Sequence, residues 1–321
     1  MSYVFGIDGG GTKTICILMD ENRVVLGRGE AGPSNYQTVG IETAKQSIEL
    51  AIERAVLSAK IQPNSNLNIE AICLGLAGVA RPKDIEIVQF VVQNLQLAKT
   101  LPVTRSLLPR NILICSDCAI ALVGGIGNPV GIAVIAGTGS IVFGQNRQGK
   151  TKRVGGWGYI LGDEGSGYDI AVAGLQAALK FYDGRSEFTV LAQKFQQHLG
   201  LNNLEELVEV VYRRGWGVTE IAALAPIVDR AAAEGDRVAD GIISRAVAEL
   251  TFSTETAISA LFSPTEEFEI VTIGGVWGSE ANFRGRFESA ISAIAPNAKV
   301  ILPRSEPAFG AALLALNALK N

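Results

Sequence analysis

The feature that most restricts how this 321-residue chain can fold is an imperfect internal repeat. Tyr3-Val4-Phe5-Gly6-Ile7-Asp8 leads through Gly9-Gly10-Gly11-Thr12-Lys13 into Thr14-Ile15-Cys16-Ile17-Leu18-Met19. Further along, Gly131-Ile132-Ala133-Val134-Ile135 leads through Ala136-Gly137-Thr138-Gly139-Ser140 into Ile141-Val142-Phe143. Both stretches read as strand, glycine turn, strand. Two halves that open alike predict an α/β protein of two lobes, with the two turns facing one another across a central cleft. The length agrees, since at roughly 150 residues per domain the chain makes about two.

From the first repeat up to the second the pattern is βββαβαβ, counting the two strands of the repeat itself. A third strand spans 24–29, a helix with apolar residues at helical spacing spans 40–60, and strands at 69–76 and 112–115 flank a helix at 83–95. A polar cap at Ser116-Asp117 precedes a short apolar helix, 118–123, that is expected to stop at Gly124-Gly125. After the second repeat, residues 168–261 are mainly helical and thicken the second lobe. A buried strand at 268–273, a strand at 298–302 and a terminal helix at 308–319 complete the chain.

Composition narrows the partners. Basic residues number 28 and acidic residues 32, a net charge of −4, so no basic field exists to hold a nucleic acid or an anionic membrane. With 48% hydrophobic residues the chain can bury a large core, yet no apolar run reaches the roughly 18 residues of a membrane span. A cytoplasmic protein that binds small molecules is expected, and Met1-Ser2-Tyr3-Val4 enters a strand with no signal-peptide pattern. Cys16, Cys73, Cys115 and Cys118 lie in apolar surroundings and read as core thiols. Cys115-x-x-Cys118 with the single histidine, His198, falls short of a zinc ligand set.

Three glycines followed by Thr12, Lys13 and Thr14 exceed what a tight turn needs. Backbone N–H groups freed of side chains make an anion nest that suits a polyphosphate, with hydroxyls and an ammonium beside it. Asp8, directly before the nest, would repel phosphates unless a cation such as Mg²⁺ lay between them. The second turn repeats the design, which favours a nucleotide. Gly144-Gln145-Asn146-Arg147-Gln148-Gly149-Lys150-Thr151 satisfies the Walker A pattern, but a strand follows it where a P-loop needs a helix, so it reads as a hairpin tip. Gly274-Gly275-Val276-Trp277-Gly278 follows a buried strand and would let a flat ring lie on backbone, or would serve close packing. The run 155–167, with Trp157, Asp163 and Glu164 among glycines, mixes a ring face with carboxylates as sugar sites do. Asp117 begins a helix, where it is either a cap or a general base.

Taken in order, residues 5–14, Ser116-Asp117, residues 137–140, Gly156-Trp157-Gly158 with residues 162–166, and residues 273–277 resemble the N-acetylglucosamine kinases of the BadF/BadG/BcrA/BcrD ATPase family, within the sugar-kinase, Hsp70 and actin superfamily. The resemblance implies two ribonuclease-H-like, actin-like ATPase lobes: residues 1–119 joined by the C-terminal helix 306–321, and residues 120–305 with a helical insertion. It implies ATP and Mg²⁺ as cofactors and an amino-sugar acceptor phosphorylated on its 6-hydroxyl. Asp8, Gly9, Gly10, Gly11, Thr12, Lys13 and Thr14 would form the first phosphate loop, with Asp8 serving the metal. Gly137, Thr138 and Gly139 would form the second, and Gly274, Gly275 and Gly278 would face adenosine. Asp117 would be the catalytic base, and Asn35, Ser140, Gly156, Trp157, Gly158 and Asp163 would join it in contacting the sugar. A homodimer is implied by family only. Where the animal enzymes have asparagine after the second turn, this chain has Ile141, so glucosamine and N-acetylmuramic acid stand beside N-acetylglucosamine as acceptors. Two other classes compete with this reading: an ATPase activator of a radical dehydratase, which needs exposed cysteines for an iron–sulfur cluster, and an ATP-binding regulator, which has no use for Asp117.

Overall fold

The computed structural model describes residues 2–59, 67–79, 81–97, 107–213 and 215–320. The chain divides into two compact units, 1–130 with 303–321, and 131–302. The division expected at 119/120 would cut through a helix whose whole length belongs to the first unit, for reasons of packing given below.

In the first unit the elements run β1 (Tyr3–Gly9), β2 (Thr14–Asp20), β3 (Val25–Ala31), α1 (Tyr36–Val39), α2 (Ile41–Ser58), β4 (Ile69–Leu76), α3 (Pro82–Leu97), β5 (Ile112–Ser116) and α4 (Asp117–Ile126). Lys60, the expected end of α2, lies outside the described residues. The sheet order is β3-β2-β1-β4-β5. The first three strands are antiparallel, while β1, β4 and β5 run parallel. Alternation puts Phe5, Ile7 and Leu18 on the face covered by α2 and α3, and Val4, Ile17 and Met19 on the other. That second face is covered by α4 and by the C-terminal helix of the chain, Pro307–Ala318.

α4 does not stop at Gly124-Gly125 but runs through both to Ile126, ending at Gly127 with φ of 89°. These glycines serve packing and not termination. A Cβ at Gly124 would lie 2.5 Å from the Glu306 carbonyl, and one at Gly310 would lie 2.1 Å from the Ile120 carbonyl. Backbone meets backbone here, and the Arg304 and Ser305 N–H groups donate to the Gly125 and Gly124 carbonyls.

The second unit repeats the plan. Its elements are β6 (Gly131–Ala136), β7 (Ser140–Gln145), β8 (Thr151–Gly155), α5 (Gly167–Tyr182), α6 (Leu191–Leu199), α7 (Leu207–Arg213), α8 (Val218–Ala222), α9 (Ala225–Ala233), α10 (Arg237–Leu261), β9 (Phe268–Ile273), α11 (Phe283–Ile294) and β10 (Ala298–Ile301); the C-terminal helix of the first unit is then α12. The sheet order β10-β9-β6-β7-β8 is the first order again, with β9 and β10 in the places of β4 and β5. Both units are therefore ribonuclease-H-like, and the helical elaboration lies between β8 and β9. α11 is not evident in the sequence pattern; its Phe283 and Phe287 edges pack on buried Trp277.

The Walker A match is a hairpin tip. Asn146 N–H donates to the Lys150 carbonyl, Asn146 Oδ1 accepts from the Gln148 and Lys150 N–H groups, and β8 follows. No helix N-terminus aims amides into it. Because the α4–α12 seam leaves no room for a methyl group, Gly310→Ala should lower stability by about 2–3 kcal/mol. A fall of several degrees in the thermal midpoint is expected, and an unchanged midpoint would show that the two helices separate freely.

Candidate functional site

Parallel strands direct their carboxyl ends to one edge of a sheet, where α/β proteins bind ligands. In the first unit that edge collects Asp8 at the end of β1 and Asp117 at the start of α4, directly after β5. Asp117 is exposed, and its Oδ1 accepts from the Cys118 N–H at 2.8 Å. Ser116 occupies the cap position, so Asp117 sits in the first helical turn, where the helix dipole favours a carboxylate. Asp8 is half-buried. Burial, followed by the charges of Asp117 and Glu306, pushes its carboxyl up to about 6 against the opposing pull of Lys13. Asp8 and Asp117 thus feel one another directly.

The first glycine loop closes through Gly10 N–H to the Lys13 carbonyl at 2.9 Å. Its glycines have different reasons. A Cβ at Gly9 would strike Ser34 Oγ at 2.2 Å, whereas among the described residues nothing lies within 4 Å of a Cβ at Gly11. Gly11, Thr12 and Lys13 are exposed. Thr14 is turned inward, fully buried, with its hydroxyl near the Gly32 carbonyl and Ser34 Oγ at 2.7 and 2.8 Å. Its side chain supports the loop from below, so Thr12 and Lys13 carry the polar side chains that can meet a phosphate.

Asn35 joins this edge because the Ser34 and Asn35 N–H groups donate to the Gly10 carbonyl at 3.0 and 3.2 Å. Its Oδ1 caps α1 by accepting from the Gln37 N–H. Periodicity cannot find Asn35. The signal available was Pro33-Ser34-Asn35, a polar turn directly after a strand.

In the second unit the turn between β6 and β7 carries α5: Gly167 and Tyr168 N–H groups donate to the Gly137 and Thr138 carbonyls. A Cβ at Gly274, where φ is 114°, would lie 2.3 Å from the Ala136 carbonyl. Gly274 therefore lets the β9 turn press against the β6 turn, and it is not among the residues lining the adjacent cavity. Gly275 and Gly278 do line it, with nothing within 4 Å of their Cβ positions. The cavity holds about 520 Å³, and its wall combines Gly137 and Thr138 with Ala222, Pro226, Val276 and Phe283. Its size and mainly apolar lining suit a flat heterocycle, and the Gly137-Thr138 turn at its edge suits the polar tail of the same molecule. Trp277, whose Nε1–H donates to the Ile273 carbonyl, anchors this turn from the core and offers no ring to the cavity.

Asp163, with φ of 62°, is buried over the same turn. Burial raises its carboxyl, while backbone N–H groups of Ser140 and Gly158 pull the other way. A Cβ at Gly139 would meet Asp163 Oδ2 at 2.7 Å. Ser140 Oγ donates to the Glu164 carbonyl and ties the turn to the loop after it. Gly156 and Gly158 both have positive φ, and between them Trp157 is 68% exposed with Arg153 over its ring at 4.9 Å. The Ile141 side chain supports this loop: a Cβ at Gly156 would lie 2.7 Å from its Cδ1.

The thiols stay in the core. Cys16, Cys73 and Cys118 are buried, and half-buried Cys115 has its Sγ 3.9 Å from Cys73 Sγ. Among the described residues no three His, Cys, Asp or Glu side chains group as a metal site, and no described helix is long and apolar enough to cross a membrane.

Two ribonuclease-H-like units with paired glycine turns define an actin-like ATPase fold. The model of the BadF/BadG/BcrA/BcrD ATPase family matches residues 5–315, and the chain belongs to that family. It is 34% identical over 316 residues, 98% of each chain, to an N-acetylmuramic acid/N-acetylglucosamine kinase of Clostridium acetobutylicum. An N-acetyl-D-glucosamine kinase of Dictyostelium discoideum is likewise 34% identical, over 98% of each chain. A solved structure from Chromobacterium violaceum, provisionally assigned as an N-acetylglucosamine kinase, is 26% identical with a TM-score of 0.72 over 98% of each chain.

Asp8 yields a pH prediction whose sign follows from linkage. A folded-state value near 6, above the ordinary 3.8, means that the folded protein holds this proton more tightly than the unfolded chain. Stability from this group is complete at the acid end, falls as pH rises from about 4 to about 6, and is a standing cost at neutral pH. Asp8→Asn should therefore stabilise the metal-free protein by about 1–2 kcal/mol near neutrality and by almost nothing near pH 4. Urea unfolding at both pH values measures it, and equal stabilisation at both would remove the titration.

Proposed function

We propose that this protein transfers the γ-phosphoryl group of ATP to the 6-hydroxyl of an amino sugar, N-acetylglucosamine first and N-acetylmuramic acid beside it. The observation that carries the reading is the placement of Asp8 and Asp117 at one sheet edge, next to a loop of open backbone amides with Lys13. The curated relatives support the choice of sugar class.

Asp117 has the role of general base. It is exposed, fixed by its helix turn, and able to take the proton of the attacking hydroxyl as the new O–P bond forms and the bond to the departing ADP breaks. Lys13 and the amides of residues 9–13 would offset phosphate charge. The 520 Å³ cavity would hold the adenosine, with Gly275 and Gly278 lying against it and Gly137-Thr138 toward the phosphates. Asn35, Trp157, Gly158 and Asp163 would orient the sugar, while Ser140 and Gly156 would hold their loop in place.

A divalent cation fits this donor set. Two carboxylates strain against each other, their oxygens are hard ligands, and so few protein ligands suit Mg²⁺, which keeps waters and phosphates in its shell. Asp8 would hold it. When bound, the ion would neutralise charge on the phosphates.

In a coupled assay over N-acetylglucosamine, N-acetylmuramic acid, glucosamine, N-acetylmannosamine and glucose, ATP turnover should depend on an N-acetylated amino sugar. Asp117→Asn should lower kcat by about 10²–10⁴ while nucleotide affinity changes less than about twofold, because the base acts on the acceptor. Full turnover in that variant would take Asp117 out of the mechanism. Gly275→Val, which places a side chain against the cavity, should raise KM for ATP and leave KM for the sugar unchanged. Equal effects on both would move the nucleotide elsewhere.

A further inference from the structure

Strand order places one more loop at the catalytic edge. β4 lies between β1 and β5, so the loop leaving its carboxyl end stands between Asp8 and Asp117. Ala77 N–H in that loop donates to the Gly9 carbonyl at 2.8 Å, and the Gly78 carbonyl accepts from Gln37 Nε2 at 2.7 Å. Gly78, with φ of 84°, is close enough to Asn35 that a Cβ would lie 2.8 Å from Asn35 Oδ1. Three residues later comes Arg81.

Arg81 is held rigidly. Its Nε and Nη2 donate to Asp84 Oδ2 and Oδ1 at 3.2 and 3.1 Å, and its backbone N–H donates to Oδ2 at 2.8 Å. Tyr36, the residue after Asn35, donates its hydroxyl to Asp84 Oδ1 at 2.6 Å. The Asp84 side chain is only 3% exposed while that of Arg81 is 72% exposed. The pair is therefore a fixed dipole with its carboxylate in the protein and its guanidinium in solvent, attached through Tyr36 to the turn that carries Asn35.

We propose that Arg81 is an anion subsite for the acceptor, which recognises a carboxylate carried on the sugar. This rests on the kinase reading above and deepens it by naming the residue that would meet the 3-O-lactyl acid of N-acetylmuramic acid. Asp8, Asp117 and Glu306 already crowd negative charge at this edge, so an anionic sugar would be repelled unless a cation met its acid group. Lys13 lies in the phosphate loop, whereas Arg81 lies on the Asn35 side, and a planar guanidinium can still receive a carboxylate along its exposed edge.

Wild-type protein should use N-acetylmuramic acid, and replacing its carboxylate by a carboxamide should raise KM about tenfold without changing kcat. Arg81→Gln should raise KM for N-acetylmuramic acid about tenfold, leave N-acetylglucosamine within twofold, and no longer distinguish acid from amide. Arg81→Lys should keep part of the preference. Should Arg81→Gln expose an unpaired buried carboxylate and fold poorly, Arg81→Gln with Asp84→Asn keeps the comparison, and the wild-type acid/amide ratio needs no variant. Equal losses on both sugars would make Arg81 a positioning residue only and overturn the subsite. Turnover of N-acetylglucosamine without N-acetylmuramic acid, or no acid/amide difference, would also overturn it and leave phosphoryl transfer to N-acetylglucosamine standing. Failure with every amino sugar would overturn the kinase reading itself, and this proposal with it.

Discussion

The docking of α12 onto the first sheet and α4 is the contact on which the edge carrying Asp8 and Asp117 depends. Ala308 and Ala312 backbone atoms meet Gly6, and Gly310 meets the backbone of Ile120 and Gly124, at distances that leave no room for a Cβ. A contact of this kind has a single geometry, because backbone cannot change rotamer. It fixes α4 against β1, so Asp117 and Asp8 are placed by packed main chain and not by loops. The seam also explains why residues from the two ends of the sequence build one unit.

The same strand order is used twice for different ends. At the end of β1 stands Asp8; at the matching end of β6 stands Ala136, fully buried. The first unit thus brings carboxylates and an ammonium to its edge, while the second presses its β9 turn on its β6 turn through Gly274 and opens a largely apolar cavity beside them. Two scaffolds of one plan thus differ in the residue that precedes the turn, Asp8 in one and Ala136 in the other. The helical insertion between β8 and β9 completes this division, since α8 and α9 contribute much of the cavity wall.

Charge at the first edge is arranged against stability. Half-buried Asp8 beside Asp117 and Glu306 is a cost that packing of two covered sheet faces can absorb. A bound cation would relieve this charge. Arg81 and Asp84 show the opposite arrangement, in which a buried carboxylate is fully satisfied and serves to hold its partner still.

Both glycine turns, the succession of strands along each half and the false P-loop were legible in the sequence, because they depend on periods of two residues and on turn chemistry over four or five. Asp8 and Asp117 were legible as carboxylates ending strands. Periodicity failed where a residue answers to something distant. Gly124 and Gly125 look like a helix stop and are instead a seam for α12, about 180 residues away. Thr14 reads as a phosphate ligand but hydrogen-bonds inward, Asn35 shows only as part of a polar turn, and Arg81 carries no periodic pattern. Local sequence decided what the backbone does at each step, since dihedral preference and burial of alternating side chains act over a few residues. Which polar groups share an edge was decided only when the sheet set β4 between β1 and β5, because strand order is a property of long-range pairing that no short stretch encodes.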